Sequence, residues 1–233
     1  MATHITMTEA PHALALVRLL QLVSPALPVG AYAYSQGLEH AVQAGWVRDE
    51  AGAGDWIGGL LEHNLGQLDV PLLLRLHRAW SEQDHARVEY WSRFLCAARE
   101  TAELRSEDRQ TGTALARLLV DLDCAAARAW VTHPDVNWPA MFALAAVHWR
   151  VPADTAALGF LWAWCENQVA AAIKLVPLGQ TAGQRILVDC AARIPAIASA
   201  ASCCEDEDIG QLAAALVIGS AWHETQYSRL FRS

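Results

Sequence analysis

One stretch of this sequence is apolar almost all the way round a helix. It reads AALGFLWAWCENQVAAAIKLVP and runs from Ala156 to Pro177. A helix that is apolar on every side is buried among other elements, whereas a surface helix carries a single apolar stripe. The stretch therefore predicts a helix over residues 153–176 in the middle of a helical bundle.

The rest of the chain has the same helical character. Alternating β-branched runs with hairpin turns are absent, and windows of helical period follow one another from Pro11 onward. Hydrophobic residues make up 54% of the chain and charged residues 18%, a composition typical of a helical globular protein with apolar surfaces. We therefore predict an all-α fold, a single-domain bundle of about ten helices with an extended C-terminal tail. The predicted helices span residues 11–22, 35–44, 54–65, 70–80, 82–104, 107–131, 138–149, 153–176, 180–201 and 206–222.

Local signals place some of these boundaries. Ser81 with Asp84 is typical of a capping box, and the acidic residues 205–208 suit a helix N-terminus through the helix dipole. No long linker divides the chain. We therefore predict one helical domain over residues 1–222.

The last segment, HETQYSRLFRS, is unusual for a chain terminus, since termini ordinarily fray and tolerate change. Aromatic and aliphatic residues alternate in it with arginine, and Tyr and Arg are enriched at interface hot spots. We predict that residues 223–233 form a partner-binding tail. Folding of this tail back onto the chain's own helices is the alternative.

Composition excludes some functions. The formal net charge is −8, and no segment supplies the basic stripe that phosphate neutralisation requires, so we expect no nucleic-acid partner. The longest apolar runs, such as Leu212 to Trp222, are shorter than the ~20 residues that span a bilayer, so we expect no membrane segment. Six cysteines without CxxC spacing and no secretory signal predict a cytoplasmic protein with reduced thiols.

Motifs for catalysis are missing from the sequence. There is no phosphate-binding GxxxxGK[ST], no GxSxG elbow, and no HxH, HxxxH or HExxH pair among the nine histidines. We therefore predict that the chain is not an enzyme and binds no cofactor tightly. One alternative remains open, a metal-dependent hydrolase assembled from dispersed residues such as His63, Asp69 and His77. Cys203–Cys204 either attract a soft metal or are incidental thiols.

The polar residues of the apolar stretch are informative. Asn167 and Lys174 lie seven residues apart, so they project from almost the same helix face, and Lys174 is the only lysine in the chain. Two interpretations of Lys174 remain open. Its head group either reaches water beyond the helix end or is presented to a partner.

Several stretches together resemble the urease accessory protein UreF family. They are SPALPVGAYAYSQGLEHA (24–41), RETAELRSEDRQTGTAL (99–115), ENQVAAAIKLVPLGQTAGQ (166–184) and the terminal HETQYSRLFRS. Their order and spacing extend the resemblance over nearly the full chain. The resemblance implies an all-helical, dimeric, non-catalytic protein of the cytoplasm that assists assembly of the urease nickel centre.

The resemblance also implies partners. These are a second accessory protein, UreD (also called UreH), the GTPase UreG, and apo-urease, whose active-site lysine is carbamylated before two nickel ions are bridged. The chain would recruit the GTPase and couple GTP hydrolysis to nickel delivery, with nickel handled by the complex. A stand-alone nickel-binding chaperone that uses its own His and Cys side chains is the alternative.

Three groups of residues carry these expectations. We predict that the tail residues contact the UreD-like partner and that the loop after the first helix presents a surface, unless Pro28 and Gly30 merely set its geometry and Ser35 caps the next helix. The third group would face the GTPase, where a lone cation sets orientation through charge complementarity. The predicted partner-binding residues are Tyr227, Arg229, Leu230, Phe231 and Arg232 in the tail; Pro28, Gly30, Tyr32, Ser35 and Glu39 in the loop; and Asn167, Lys174, Gln180 and Gln184 in the third group.

Overall fold

The computed structural model describes residues 10–210 and 213–233. The predicted domain includes residues 1–9, and the predicted helix 206–222 includes residues 211 and 212, all of which lie outside the described residues. Within the described ranges the all-α prediction is confirmed, with ten α-helices and no β-strand. The helices are α1 (Ala10–Leu22), α2 (Leu38–Gln43), α3 (Glu50–Leu60), α4 (Val70–Ser81), α5 (His85–Ala98), α6 (Ala102–Asp121), α7 (Trp138–His148), α8 (Ala153–Leu175), α9 (Gln180–Ser202) and α10 (Ala214–His223).

Helix α8 lies at the centre of the bundle, as its sequence predicts. It packs along α9 and also contacts α1, α2, α3, α4 and α7. Helix α7, wedged against α4 and α6, is enclosed even more completely, since every residue from Pro139 to Ala146 is buried. Among the described helices, none combines the length and apolar character that crossing a bilayer requires.

A π-helical segment joins α3 to α4. It covers Leu61–Asp69, so helical structure continues from Glu50 to Ser81 where the sequence predicts a break. Gly66 allows this segment to lie against α9, because a Cβ there would be 2.7 Å from the side chain of Ile197. π-Helical turns are rare and frequently occur at functional sites. Here the segment directs Asn64 and Asp69 towards an internal cavity.

Two of the longer predicted helices are wrong, because non-helical residues interrupt each of them. The predicted helix 82–104 starts only at His85 and ends at Ala98, and Thr101 then caps α6 by accepting a hydrogen bond from Leu104 N at 3.2 Å. The predicted helix 107–131 stops at Asp121, since Asp123 adopts a positive φ of 65°, and a short 3₁₀ helix follows at Ala125–Trp130.

Three shorter predictions are also wrong. The helix predicted over 35–44 begins only at Leu38, because Gln36 and Gly37 both have positive φ. The acidic residues form a separate 3₁₀ turn, Asp206–Asp208, instead of the start of α10. The capping box does not form: Asp84 itself caps α5, and Ser81 donates to His77 O.

Candidate partner-binding surface

The C-terminal tail lies on the loop that follows α1. Backbone hydrogen bonds join the two segments, from Arg232 N to Ala33 O and from Ser35 N to Ser233 O, each at 2.8 Å. The Ser35 hydroxyl also donates to Ser233 O. Two stretches that the sequence singles out, about two hundred residues apart, therefore form one surface. In this chain the tail folds back onto its own helices.

Glu39 holds the tail in place. Its carboxylate accepts from Leu230 N at 2.7 Å and from Phe231 N at 2.8 Å. The imidazole of His223, which is fully buried, lies 3.2 Å from the same carboxylate and 2.8 Å from Glu103. Hydrogen bonds from backbone N–H groups to a carboxylate are shorter and stronger than those to a neutral acceptor. Glu39 thus acts as an anchor for the tail backbone.

Close approach of α2 and α10 creates this anchor. Gly37 has a φ of 75°, and a Cβ on it would lie 3.0 Å from Ser220 N. Glycine is therefore required both for the backbone conformation and for the contact. The approach brings Glu39, on α2, beside His223, at the end of α10.

The tail also touches the helix that carries the only lysine. The Nζ atom of Lys174 lies 5.6 Å from the centre of the Phe231 ring, a cation–π contact. Phe231 is buried, whereas Lys174 is exposed at the end of α8. The lysine head group therefore reaches the surface, as one interpretation holds; its presentation to a partner stays a prediction.

Beneath the tail lies a polar network that the sequence reasoning missed. Glu107 accepts from Gln36 Nε2 at 2.8 Å and from the Ser233 hydroxyl at 2.9 Å, while Gln36 also accepts from Trp164 Nε1 at 2.7 Å. Burial raises the pKa of Glu107 to about 7, against the hydrogen bonds from Gln36 and Ser233, which lower it. Gly37 was a usable signal for the turn that carries Gln36, because glycine adopts positive φ at no steric cost, but no local signal reveals the partners of Gln36.

A buried ion pair network lies next to these groups. Arg99 donates to both oxygens of Asp69 and, at 2.6 Å, to Asp108. Burial would lower the pKa of Arg99, but the carboxylates of Asp108 and Asp69 hold that pKa well above its ordinary value. These groups line a cavity of about 90 Å³ that also contains Asn64. Nothing in the local sequence reveals this pairing, since its members lie on three different elements.

The predicted loop and tail residues divide into an inner and an outer set. Ser35, Glu39 and Phe231 are buried in contacts within the chain. The Ser35 hydroxyl also lies 3.3 Å from Glu39 N, so Ser35 contributes a hydrogen bond at the start of α2, although Gly37 occupies the cap position. Gly30 is half-buried with a φ of 78° and sets the loop turn. The outer set is exposed and comprises Pro28, Tyr32, Tyr227, Arg229, Leu230 and Arg232.

Two of the outer arginines also bond to the chain itself. Arg229 donates to Glu103 at 2.8 Å, and Arg232 donates to Gln110 at 3.3 Å. Tyr227 is completely exposed and Leu230 is 65% exposed. Tyr227 and Leu230 are therefore the tail side chains that stand free of the domain.

The third group of predicted residues lies at one end of the α8–α9 hairpin. Lys174 is near the end of α8, and Gln180 and Gln184 occupy the first turns of α9, with all three exposed. Asn167 is separate from them, since it is half-buried and donates to Tyr34 O at 3.3 Å. It ties α8 to the loop beneath the tail.

An apolar surface continues from the tail along α10. The residues of α10 that face outward are all apolar, and Trp222 packs its ring 6.0 Å from that of Trp46, which is also exposed. The outward residues are Ala214, Ala215, Ile218, Ala221 and Trp222. A contiguous apolar surface of this kind marks a protein contact.

The residues proposed for a metal hydrolase do not converge. Asp69 is engaged by Arg99, His77 Nε2 lies 3.0 Å from Val151 O, and His63 is exposed. Across the part of the chain that the structure describes, no group of three or more His, Cys, Asp or Glu side chains is arranged to hold a metal ion. Cys203 and Cys204 belong to no such group.

Comparison with known proteins finds both a matching family model and relatives over nearly the full chain. The UreF family model matches residues 47–191. The chain is 54% identical over 226 residues to the urease accessory protein UreF of Alkalilimnicola ehrlichii, covering 97% of this chain and 99% of the relative. It is 51% identical over 225 residues to that of Azoarcus sp. strain BH72, covering 94% and 96%, and 50% identical over 218 residues to that of Teredinibacter turnerae, covering 94% and 98%. With a family model matched over more than half its length and such relatives over nearly all of it, this chain belongs to the UreF family of urease accessory proteins.

Proposed function

We propose that this chain acts in the cytoplasm as a non-catalytic scaffold in urease maturation. It joins a UreD/UreH-like protein to a UreG-like GTPase and couples GTP hydrolysis to nickel delivery to apo-urease. Nickel is handled by the assembled complex, and this chain alone binds none tightly. The observation that carries the proposal is the arrangement of the tail. Its backbone is anchored on Glu39, while the side chains of Tyr227 and Leu230 project into solvent. Exposed aromatic and aliphatic side chains on an anchored backbone are suited to binding, because little backbone conformational entropy remains to be lost.

The UreD-like partner contacts the tail and the outer face of α10. Tyr227, Leu230 and Trp222 supply large apolar side chains, and Arg229 and Arg232 stand at the margin as hydrogen-bond donors. This is the usual composition of an interface, with an apolar centre and a polar rim. Glu39 and Phe231 support the surface from beneath.

The GTPase contacts the exposed end of the α8–α9 hairpin. Lys174 places an exposed positive charge at this end of the hairpin, where pairing with an acidic group would set the orientation of the GTPase. Gln180 and Gln184 add uncharged donors and acceptors nearby. Because Phe231 of the tail lies under Lys174, the two proposed surfaces are in contact.

A second copy of the chain binds the outer face of α1. Leu14, Leu16, Val17 and Leu20 are each exposed by 54% to 59%, whereas Ala15, Leu19 and Leu22 on the opposite face pack into the core. An exposed row of large aliphatic side chains is unfavourable in water unless another surface covers it. The homodimer would cover it symmetrically.

A pull-down tests the tail surface. Full-length protein, a version ending at Trp222, and the double variant Tyr227→Ser/Leu230→Ser are mixed with the UreD-like and UreG-like proteins. We expect both variants to lose the UreD-like protein, with helicity unchanged in the double variant, which replaces only exposed side chains. The matched control is Tyr90→Ser/Leu122→Ser, another exposed Tyr and Leu, which should bind as the wild type does.

Other outcomes would contradict the scaffold. Retention of the UreD-like protein by both the truncated chain and the double variant would remove the tail from the interface. Equal urease activation by wild type and Lys174→Ala would remove the lysine from the GTPase surface. Tight stoichiometric binding of nickel by the isolated chain in equilibrium dialysis would favour a nickel chaperone, and metal-dependent turnover would favour a hydrolase.

A further inference from the structure

Two cysteines far from the tail face each other across the α8–α9 hairpin. Gly183 of α9 packs against Val169 and Ile173 of α8, which fixes the level at which the antiparallel helices meet. Distances along the helix axes can be counted from the midpoint of that contact at 1.5 Å per residue. Cys165 lies about 9 Å from it along α8, and Cys190 lies about 10 Å from it along α9, in the same direction. The two thiols are therefore level with each other on two helices that pack side by side, and both are buried.

Only one of the two thiols faces a route to solvent. Cys190 lines a groove of about 340 Å³ between α3 and α9, whereas Cys165 is fully buried behind it. Glu50, Asp55, Asp189 and Arg193 supply the polar wall of the groove. A small polar reagent can therefore reach Cys190 first.

Arg193 is held in position beside this thiol. Its guanidinium donates to Glu62 at 3.2 Å and crosses α3 at Gly58, where a Cβ would lie 2.6 Å from Arg193 Nη1. The neighbouring Cys165 thiol lowers the pKa of Cys190, as does the charge of Arg193, whereas burial and the charge of Asp189 raise it; the net direction is downward. The neighbouring Cys190 thiol, together with burial, raises the pKa of Cys165. One sulfur is thus prepared as a nucleophile and the other remains a thiol.

We propose that Cys190 and Cys165 form a peroxide-sensitive thiol pair, in which Cys190 reacts with the oxidant and Cys165 resolves it to a disulfide. The Cys190 thiolate attacks one oxygen of hydrogen peroxide, the O–O bond breaks, and the products are a sulfenic acid and hydroxide. The Cys165 sulfur, losing its proton, then attacks the sulfenic sulfur and displaces its hydroxyl group. In total two thiols lose two electrons, and one peroxide becomes two waters.

The disulfide would join the two helices that carry Lys174, Gln180 and Gln184. All six cysteines of the chain are free thiols in the structure. Oxidation would fix the α8–α9 hairpin by a covalent bond buried in its centre, which restricts the unfolded chain and raises resistance to urea. This inference concerns the isolated chain and does not depend on the proposed partners.

Peroxide titration of the purified full-length protein tests the pair. One equivalent of hydrogen peroxide should reduce the thiols titratable after unfolding from six to four, lower the mass by about 2 Da, and yield a peptide linking Cys165 to Cys190. The oxidised protein should unfold at higher urea concentration than the reduced protein. The control variant Cys203→Ser/Cys204→Ser should form the same linked peptide.

Single variants separate the two roles. Cys165→Ala should stop at a sulfenic acid on Cys190 that dimedone traps, and Cys190→Ala should lose no thiols at one equivalent. Native alkylation should modify Cys190, which lines the groove, faster than Cys124, which is equally buried. A disulfide that instead joins Cys203 to Cys204, or no linked peptide in the wild type, would overturn the proposal even if a single variant failed to fold.

Discussion

The Glu39 anchor makes a quantitative prediction about the tail. In Glu39→Gln the side-chain amide keeps one oxygen acceptor, which can serve Phe231 N and His223, but turns an NH₂ group towards Leu230 N, where the carboxylate accepts at 2.7 Å. A hydrogen bond to a charged group contributes about 1.5–3 kcal/mol, and an unsatisfied buried donor adds a desolvation cost. Losing one such bond and weakening its neighbour should cost about 2–4 kcal/mol. That free energy corresponds to a roughly 30-fold to 1000-fold shift towards the undocked tail.

Amide hydrogen exchange measures this shift directly. Protection of the Leu230 and Phe231 amides should fall by the same factor, and trypsin should cleave after Arg229 more rapidly, while far-UV circular dichroism stays unchanged. The matched control is Glu89→Gln on α5, where the carboxylate is exposed and bonds to no described residue. If Glu39→Gln leaves the protection of both tail amides at the wild-type level, the carboxylate does not anchor the tail and the reasoning fails.

Two further predictions concern the buried charges. Replacing Arg99 by Met leaves Asp69 and Asp108 without a cation, so the free energy of unfolding measured in urea should fall by about 3–5 kcal/mol. The control Arg193→Met breaks an exposed pair with Glu62 and should lower that free energy by less than about 1 kcal/mol. Equal losses in the two variants would contradict this account. In the folded chain the pKa of Glu107 is raised from 4.5 to about 7, so folding takes up a proton between pH 4.5 and pH 7. The resulting stability is fully present below pH 4.5 and is lost as the pH rises through 7. Relative to Glu107→Gln, the wild type should therefore lose up to about 3 kcal/mol between pH 4.5 and pH 8, and parallel pH profiles would show that the carboxyl titrates normally.

Local sequence signals account for the helices but not for how the tail is held. The apolar stretch around Trp164 predicted the central helix α8 almost to its last residue, because burial on every side leaves a pattern that needs no knowledge of the neighbours. The break before α6 was also visible, since Thr101 is a favourable N-cap residue. That signal was outweighed by the helical period on either side of it.

Long-range pairing explains what the sequence could not predict. Glu39 and Ser35 were identified as surface residues, but their partners lie in the tail, nearly two hundred residues away. The same holds for the contacts of Gln36 with Glu107 and of Arg99 with Asp69, which join residues on different elements. The contact of the π-helical segment with α9 is also long-range, since the missing side chain of Gly66 leaves room for Ile197.

Urease maturation in cells tests the central claim, that this molecule works by contacting other proteins. The nickel content and activity of urease are compared in cells lacking the chain and in cells supplied with wild type, Tyr227→Ser/Leu230→Ser, or the control Tyr90→Ser/Leu122→Ser. We expect nickel-poor, inactive urease without the chain and with the tail variant, and normal urease with wild type and the control. Normal nickel loading in cells that lack the chain would contradict the account.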